Sequence, residues 1–181
     1  SVCVQLHDLE HKRTEKVTSV PMHIIQTYLP SLVGRVQQSP TNKECPLPIC
    51  IRNFDHVDDI EKPALLSFFN HLCGMSELHQ AWFCLPAADT LAKGFLLYRA
   101  LRLLDLNEVA HALRFRLIYD LGAQPLVSED VQCLWWGFQY MNEWSEWLEA
   151  LLANLVRFRI GKDTKENEYV WEFIENEMCQ L

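Results

Sequence analysis

The segment from Leu91 to Leu104 is the feature that most constrains the fold of this chain of 181 residues. Its large apolar residues recur at helical spacing, and further leucines widen the apolar stripe to most sides of the predicted helix. These residues are Leu91, Phe95, Tyr98, Leu101 and Leu104, together with Leu96, Leu97 and Leu103. A helix that is apolar on most sides is stable only when other elements cover it. The segment therefore predicts a central, buried helix.

The amino-terminal third carries strand patterns instead. Apolar and polar residues alternate over residues 2–6, and Val17–Val20 follows after a charged turn, so we expect a β-hairpin. A third strand is predicted over Ile49–Phe54. The stretch Gln37–Pro48 before it contains three prolines and is expected to be a loop.

Start and stop signals predict several more helices. Proline in a first turn opens a helix near Pro21 and another at Pro63. Later helices are expected to begin at capping residues, namely Asn107, Ser128, Asn142 and either Asp163 or Thr164. Glycines are expected to end three helices, at Gly74, Gly122 and Gly161. The predicted fold class is α+β and mainly α, with a small amino-terminal hairpin or sheet packed on a helical bundle.

Composition narrows the class of function. The formal net charge is −8, whereas nucleic-acid binding depends on basic residues that neutralise phosphates, so direct nucleic-acid binding is not expected. No apolar run reaches about 18 residues and no secretory signal is visible, so we expect no membrane span. The seven cysteines are an odd number, and several lie in apolar helical contexts. Reduced thiols of this kind favour an intracellular protein, nuclear or cytoplasmic.

No local motif points to catalysis, to a cofactor or to a metal site, so we expect none of them. The most metal-like spacing is Cys73, His79 and Cys84, which lacks the tight pairs and the fourth ligand of a structural zinc site. We interpret these residues as buried thiols and a histidine at a helix end. An enzyme assembled from distant residues, or a zinc-stabilised protein, is the least favoured alternative.

The tryptophans Trp135, Trp136, Trp144 and Trp147 are the most unusual local feature. Trp135 shares a helix face with the apolar residues around it, whereas Trp136 lies about 100° away and should face elsewhere. The favoured interpretation is that all four fill the seam between these helices and the preceding bundle. The alternative is that one or two, Trp136 first and Trp144 with it, stay exposed as an anchor for a partner, since tryptophan is enriched at interface hot spots.

Several stretches, taken in chain order, resemble a BTB/POZ domain, particularly the divergent BTB-like proteins of fungi. These stretches are Val17–Pro21 leading into Leu29–Leu32, Ile51–Phe54 before Leu65–Leu72, then Leu97–Leu106, and finally Pro125–Val131. Leu97–Leu106 looks like the buried helix before the family's last helix. Pro125–Val131 is similar to the start of the helical extension that often follows.

The resemblance implies a BTB/POZ-like domain over residues 1–122 and a helical extension over residues 123–181, packed on it. It also implies a protein-interaction domain without catalytic residues or cofactor. Family members commonly form homodimers through the first strand and first helix. Here those positions are Val2, Val4, His23, Ile24, Gln26, Thr27 and Tyr28. The chain departs from the family in its proline-rich loop, where many members have another helix. It also lacks the apolar-x-acidic triplet of cullin adaptors between Arg35 and Pro48, which argues against that role.

Two hypotheses follow for the function. The leading hypothesis is a BTB-like interaction domain that self-associates, as a possible homodimer, or scaffolds another protein. The alternative is an all-helical adaptor whose tryptophan-rich carboxyl-terminal helices bind a protein partner.

Overall fold

The structure, a computed structural model, describes residues 1–8, 11–37, 44–51, 57–80, 83–159 and 165–178. Its strands are β1 (Val2–Asp8), β2 (Thr14–Val20) and β3 (Cys45–Ile51). Its α-helices are α1 (Met22–Tyr28), α2 (Lys62–Glu77), α3 (Leu91–Leu103), α4 (Asn107–Ala123), α5 (Ser128–Phe138), α6 (Trp144–Phe158) and α7 (Lys165–Phe173). A 3₁₀ helix covers Pro30–Arg35, and π-helical turns cover Val57–Glu61 and Ile174–Met178. The fold class is α+β and mainly α, as predicted.

Two compact units divide the chain. Unit 1 comprises Ser1–Ala87 and Ala100–Leu106, and unit 2 comprises Ala88–Arg99 and Asn107–Leu181. The sheet, α1 and α2 belong to unit 1, and α4 to α7 belong to unit 2, while α3 contributes residues to both. The predicted domains, residues 1–122 and 123–181, follow a different boundary, and that division stays a prediction.

Strand β1 is the central strand of the sheet that the described part of unit 1 forms. The strand order is β2-β1-β3, with β2 antiparallel and β3 parallel to β1. The predicted hairpin is therefore confirmed. Val2, Val4 and Leu6 are fully buried, and Cys3 on the opposite face is buried as well. The start of β1 is therefore covered on both faces, as a central strand can be.

The third strand begins earlier than we predicted. Strand β3 starts at Cys45, so residues 45–48 are strand rather than the end of a loop. The rest of the predicted loop, residues 38–43, and the predicted strand end, residues 52–56, lie outside the described residues.

Two prolines fit into β3 because it is an edge strand of the described sheet. In a parallel pair alternate residues turn their amides toward the neighbour, and the Cys45 amide donates to the Ser1 carbonyl at 2.9 Å. Pro46 and Pro48 therefore have their nitrogens on the open edge, where no donor is needed. The Pro46 carbonyl on that edge accepts a hydrogen bond from the Gln37 amide at 2.8 Å.

Helix α2 runs past Gly74, where we predicted that it would end. It continues to Glu77 and closes at His79, whose φ of 51° is left-handed. The Gln80 amide then donates to the Met75 carbonyl at 3.0 Å, which is the bond that commonly terminates a helix at a left-handed residue. Met75 is buried, so its burial extends the helix beyond the glycine.

An aromatic cluster forms the centre of unit 2. Phe95, Tyr98, Phe138 and Trp147 are all fully buried. Tyr98 stacks on Phe138 with 5.4 Å between ring centroids, and Trp147 meets Phe138 edge-on at 4.8 Å. Aromatic pairs at these distances add to the free energy gained from burial. The predicted burial of the helix that begins at Leu91 is confirmed.

Helix α5 begins at Ser128, with Val127 in the capping position that we assigned to Ser128. The cap is instead made by the buried carboxylate of Asp130. It accepts hydrogen bonds from the Val127 amide at 3.0 Å and from the Ala92 amide at 2.8 Å. Because Ala92 lies in the first turn of α3, one carboxylate satisfies amides at the start of two helices.

The other predicted helix ends agree to within a residue where they are described. Asn107 is the first residue of α4, which continues to Ala123, just past Gly122. Glu143, rather than Asn142, precedes α6. The remaining predicted signals lie outside the described residues, namely Gly161, Asp163 and Thr164.

Replacing Asp130 with alanine is expected to lower the free energy of unfolding by about 2 kcal/mol, because two amides lose a charged acceptor. Urea unfolding followed by circular dichroism measures the loss. Its exposed neighbour provides the control, since Glu129→Ala should change stability by less than about 1 kcal/mol. Equal losses from both substitutions would contradict the role of Asp130 as a shared cap.

The left-handed residue at the end of α2 gives a stability prediction of the opposite sign. Glycine adopts a positive φ without steric cost, so His79→Gly should raise the free energy of unfolding by about 0.5–1 kcal/mol. His79→Ala should not raise it, because alanine gains nothing at a positive φ. Thermal and urea unfolding of both variants check the prediction, and a stabilising alanine would refute it.

Candidate partner-binding groove

An open groove of ≈ 320 Å³ lies between α5 and α7 in unit 2. We call it the Trp136 groove, and the residues that line it are Ser128, Gln132, Trp136, Tyr169, Glu172, Phe173, Asn176 and Glu177. Helix α5 and helix α7 therefore each supply one wall, with the π-helical turn after α7 completing the second.

The periodicity of α5 places Trp136 in this groove. Val131, Leu134 and Phe138 are fully buried and define the inner face of α5. Trp135 is buried beside them and meets Trp144 edge-on at 5.2 Å. Trp136 is half-buried on another side of α5 and meets Phe173 of α7 edge-on at 5.5 Å.

The second wall combines apolar and acidic side chains. Tyr169 and Phe173 are one helical turn apart, and Tyr169 is 58% exposed whereas Phe173 is buried. Glu172 and Glu177 are exposed on the same wall. None of the described residues that line the groove is basic. The groove therefore has an aromatic floor and a rim of negative charge.

The two tryptophans that we singled out lie in different clusters. Trp136 contacts Phe173 in the groove, while Trp144 is half-buried against Trp135 at the start of α6. Sequence reasoning did not single out α7 as part of a site. The spacing of Tyr169, Glu172, Phe173 and Asn176 along one helix face was the available signal.

The amino-terminal positions that the family resemblance implies are divided between interior and surface. Val2, Val4, Ile24 and Tyr28 are buried within unit 1, and the Tyr28 hydroxyl donates to the Gln80 carbonyl at 2.7 Å. His23, Gln26 and Thr27 are exposed on α1. Substitution of the buried positions would test stability of unit 1 rather than an interface.

The cysteines with described side chains are free thiols in different surroundings. Cys50 and Cys84 are exposed, whereas Cys133 of α5 is buried. Burial, together with nearby Glu129 and Asp130, raises the pKa of the Cys133 thiol to about 12. Burial also raises the pKa of Cys73. Cys179 lies outside the described residues.

Within the described residues, no three side chains of His, Cys, Asp and Glu form a group that could hold a metal ion. In particular, Cys73, His79 and Cys84 do not form one. His79 is exposed at the end of α2, while Cys84 lies beside His71.

Comparisons of the chain with protein families, with curated proteins and with solved structures returned no match. The resemblance to BTB/POZ domains therefore stays a prediction. No described helix is both long enough and apolar enough to cross a membrane.

The contrast among the thiols predicts their order of alkylation. At pH 8, a thiol with a pKa of about 12 is ionised to about one part in ten thousand, and only the thiolate reacts. Iodoacetamide should therefore modify Cys50 and Cys84 first and leave Cys133 unmodified until the chain unfolds. Peptide mass spectrometry over a time course gives the order. Early modification of Cys133 in the folded protein would contradict its burial.

Proposed function

We propose that this chain is a protein-interaction domain whose Trp136 groove holds a basic, amphipathic segment of a partner protein. The observation that carries the proposal is the aromatic floor formed by Trp136 and Phe173 beside the acidic wall of α7. Tryptophan and tyrosine supply large contact areas and dominate the binding energy of many interfaces.

The size and shape of the groove favour a peptide segment over a small molecule. Its volume of ≈ 320 Å³ lies at the lower end of the range for small-molecule sites, and such sites bury most of their ligand. An open groove of this size holds one or two apolar side chains of a partner. A helix or an extended segment laid between α5 and α7 supplies them.

Charge selects which segment binds. Glu172 and Glu177 are exposed on the groove wall, Glu168 and Glu175 are exposed elsewhere on the same segment, and the chain carries a net charge of −8. A negative surface attracts basic partners and repels acidic ones, which affects the association rate and specificity more than raw affinity. The complementary segment therefore carries Lys or Arg on both sides of its apolar anchor.

Peptide display tests this proposal without a known partner. Random peptides of roughly 15 residues, long enough to form a helix or extended strand in a groove, are selected against the whole chain. We expect the enriched sequences to combine a bulky apolar residue with flanking Lys or Arg. Enrichment of acidic sequences would overturn the proposal.

Substitution of Trp136 identifies where the selected peptides bind. Trp136→Ala should weaken binding by at least about tenfold, as expected when a hot-spot residue is removed. Tyr140→Ala is the matched control, because Tyr140 is 51% exposed but does not line the groove. Isothermal titration calorimetry measures both, and unfolding curves check that each variant is folded. Equal affinities of wild type and Trp136→Ala would place the binding elsewhere.

The contribution of the acidic wall to binding is measured separately, from the salt dependence of the dissociation constant. Glu172→Gln with Glu177→Gln should raise the dissociation constant several-fold at low salt and flatten its dependence on salt, since exposed charges are screened. The loss should disappear at high ionic strength. A loss that does not depend on salt would contradict an electrostatic role for the two glutamates.

Self-association through α1 is a second candidate function, and it is the one that the resemblance to BTB/POZ domains implies. What favours it is that His23, Gln26 and Thr27 form an exposed face of α1. Light scattering across a concentration series should then show a dimer that the double substitution Gln26→Arg, Thr27→Arg dissociates. Asn70→Arg, an exposed position on α2, is the control. A monomer at every concentration would remove this candidate.

A further inference from the structure

Three side chains with soft or borderline donor atoms come together in unit 1. His71 and Met75 lie one turn apart on α2, and Cys84 comes from the segment that follows this helix. The Cys84 Sγ atom is 3.9 Å from the Met75 Sδ atom and 4.0 Å from the His71 Nε2 atom. The Cys84 thiol therefore lies within van der Waals distance of both the Met75 thioether and the His71 imidazole.

The two distances from the Cys84 thiol are close to those expected between ligands of one three-coordinate metal ion. A first-row metal lies roughly 2.3 Å from sulfur and roughly 2.0 Å from an imidazole nitrogen. In a trigonal arrangement, two sulfur ligands are then roughly 4.0 Å apart, and a sulfur and a nitrogen ligand roughly 3.7 Å apart. The observed 3.9 Å matches the first value, and the observed 4.0 Å is slightly longer than the second. A small rotation of the His71 ring closes that difference without movement of α2.

The donor set selects the ion. Thiolate and thioether ligands favour Cu(I), whereas structural zinc takes four ligands drawn from Cys, His and carboxylates. Among the described residues no three His, Cys, Asp and Glu side chains gather into such a group. Here the third ligand is the thioether of a methionine, and a soft ligand of this kind favours a soft monovalent ion.

We propose that His71, Met75 and Cys84 bind one Cu(I) ion. On binding, the Cys84 thiol releases its proton to solvent, and the thiolate forms the bond to copper. The Cys84 carbonyl oxygen accepts a hydrogen bond from His71 Nε2 at 2.9 Å, so this nitrogen carries the imidazole proton. When copper binds, Nε2 releases that proton to solvent and Nδ1 takes one up from solvent. The ring then turns so that the Nε2 lone pair bonds to the metal. No electron is transferred in this step.

The extent to which each of the three side chains is buried agrees with its proposed role as a copper ligand. Met75 is buried, so its thioether is held by the interior of unit 1. Cys84 is exposed and His71 is half-buried, so an ion delivered from solvent reaches both. The Cys84 Sγ atom also lies 3.8 Å from the Gln80 Oε1 atom, which accepts a weak hydrogen bond from the thiol.

Anaerobic titration with Cu(I) against a chromophoric competitor such as bicinchoninate tests the proposal. The wild-type chain should hold one equivalent of Cu(I) more tightly than any further equivalents. Cys84→Ser should weaken this site by at least about a hundredfold, and Met75→Leu, which conserves volume, by roughly tenfold. Cys50→Ser is the matched control, because Cys50 is also an exposed cysteine, and it should leave the tight site unchanged.

X-ray absorption at the copper edge identifies the ligands directly. We expect two sulfur atoms and one nitrogen atom, with one sulfur lost in Met75→Leu and the nitrogen lost in His71→Ala. Two-coordinate copper bound by two thiolates, or a tight site that survives Cys84→Ser, would overturn the proposal. Retention of one zinc(II) ion without any tight Cu(I) binding would overturn it as well.

Discussion

The carboxylate of Asp130 is the interaction on which the arrangement of unit 2 depends. It joins the first turn of α3 to the start of α5 through two amides, and it is buried where water cannot replace it. The aromatic cluster of Phe95, Tyr98, Phe138 and Trp147 then fixes the rotation of α5 about its axis. Because that rotation is fixed, the Trp136 side chain points toward α7. The Trp136 groove forms as a result.

Unit 1 depends in a similar way on one strand. Strand β1 is hydrogen-bonded on both sides, and its central position places β3 at an edge of the described sheet. Pro46 and Pro48, which lack an N–H donor, therefore remove no hydrogen bond from the sheet. The buried residues of α2, among them Leu72 and Met75, lie with this sheet in the same unit. The turn at His79 then redirects the chain, so that Cys84 returns beside Met75.

Residues that are close in sequence account for the successes of the sequence-based predictions. The hairpin, α1, the buried α3 and the start of α4 each follow from a periodic pattern or a capping residue. The failures occur where tertiary packing decides. Gly74 does not end α2 because Met75 is buried in the folded unit, which extends the helix. Ser128 does not cap α5 because the nearby Asp130 does, and Asp130 is held there by its second hydrogen bond, from the Ala92 amide of α3. The strand start at Cys45 depends on pairing with Ser1, which no local pattern reveals.

The sequence by itself determined the fold class, the burial of α3 and the unusual position of Trp136, since periodicity and composition are properties of neighbours along the chain. Only the tertiary structure decided what faces Trp136, because Phe173, Glu172 and Glu177 are more than thirty residues away in the chain. It alone brought Cys84 to His71 and Met75 rather than to Cys73 and His79. A site made of side chains from separate elements depends on how those elements pack, and local pattern does not carry that information.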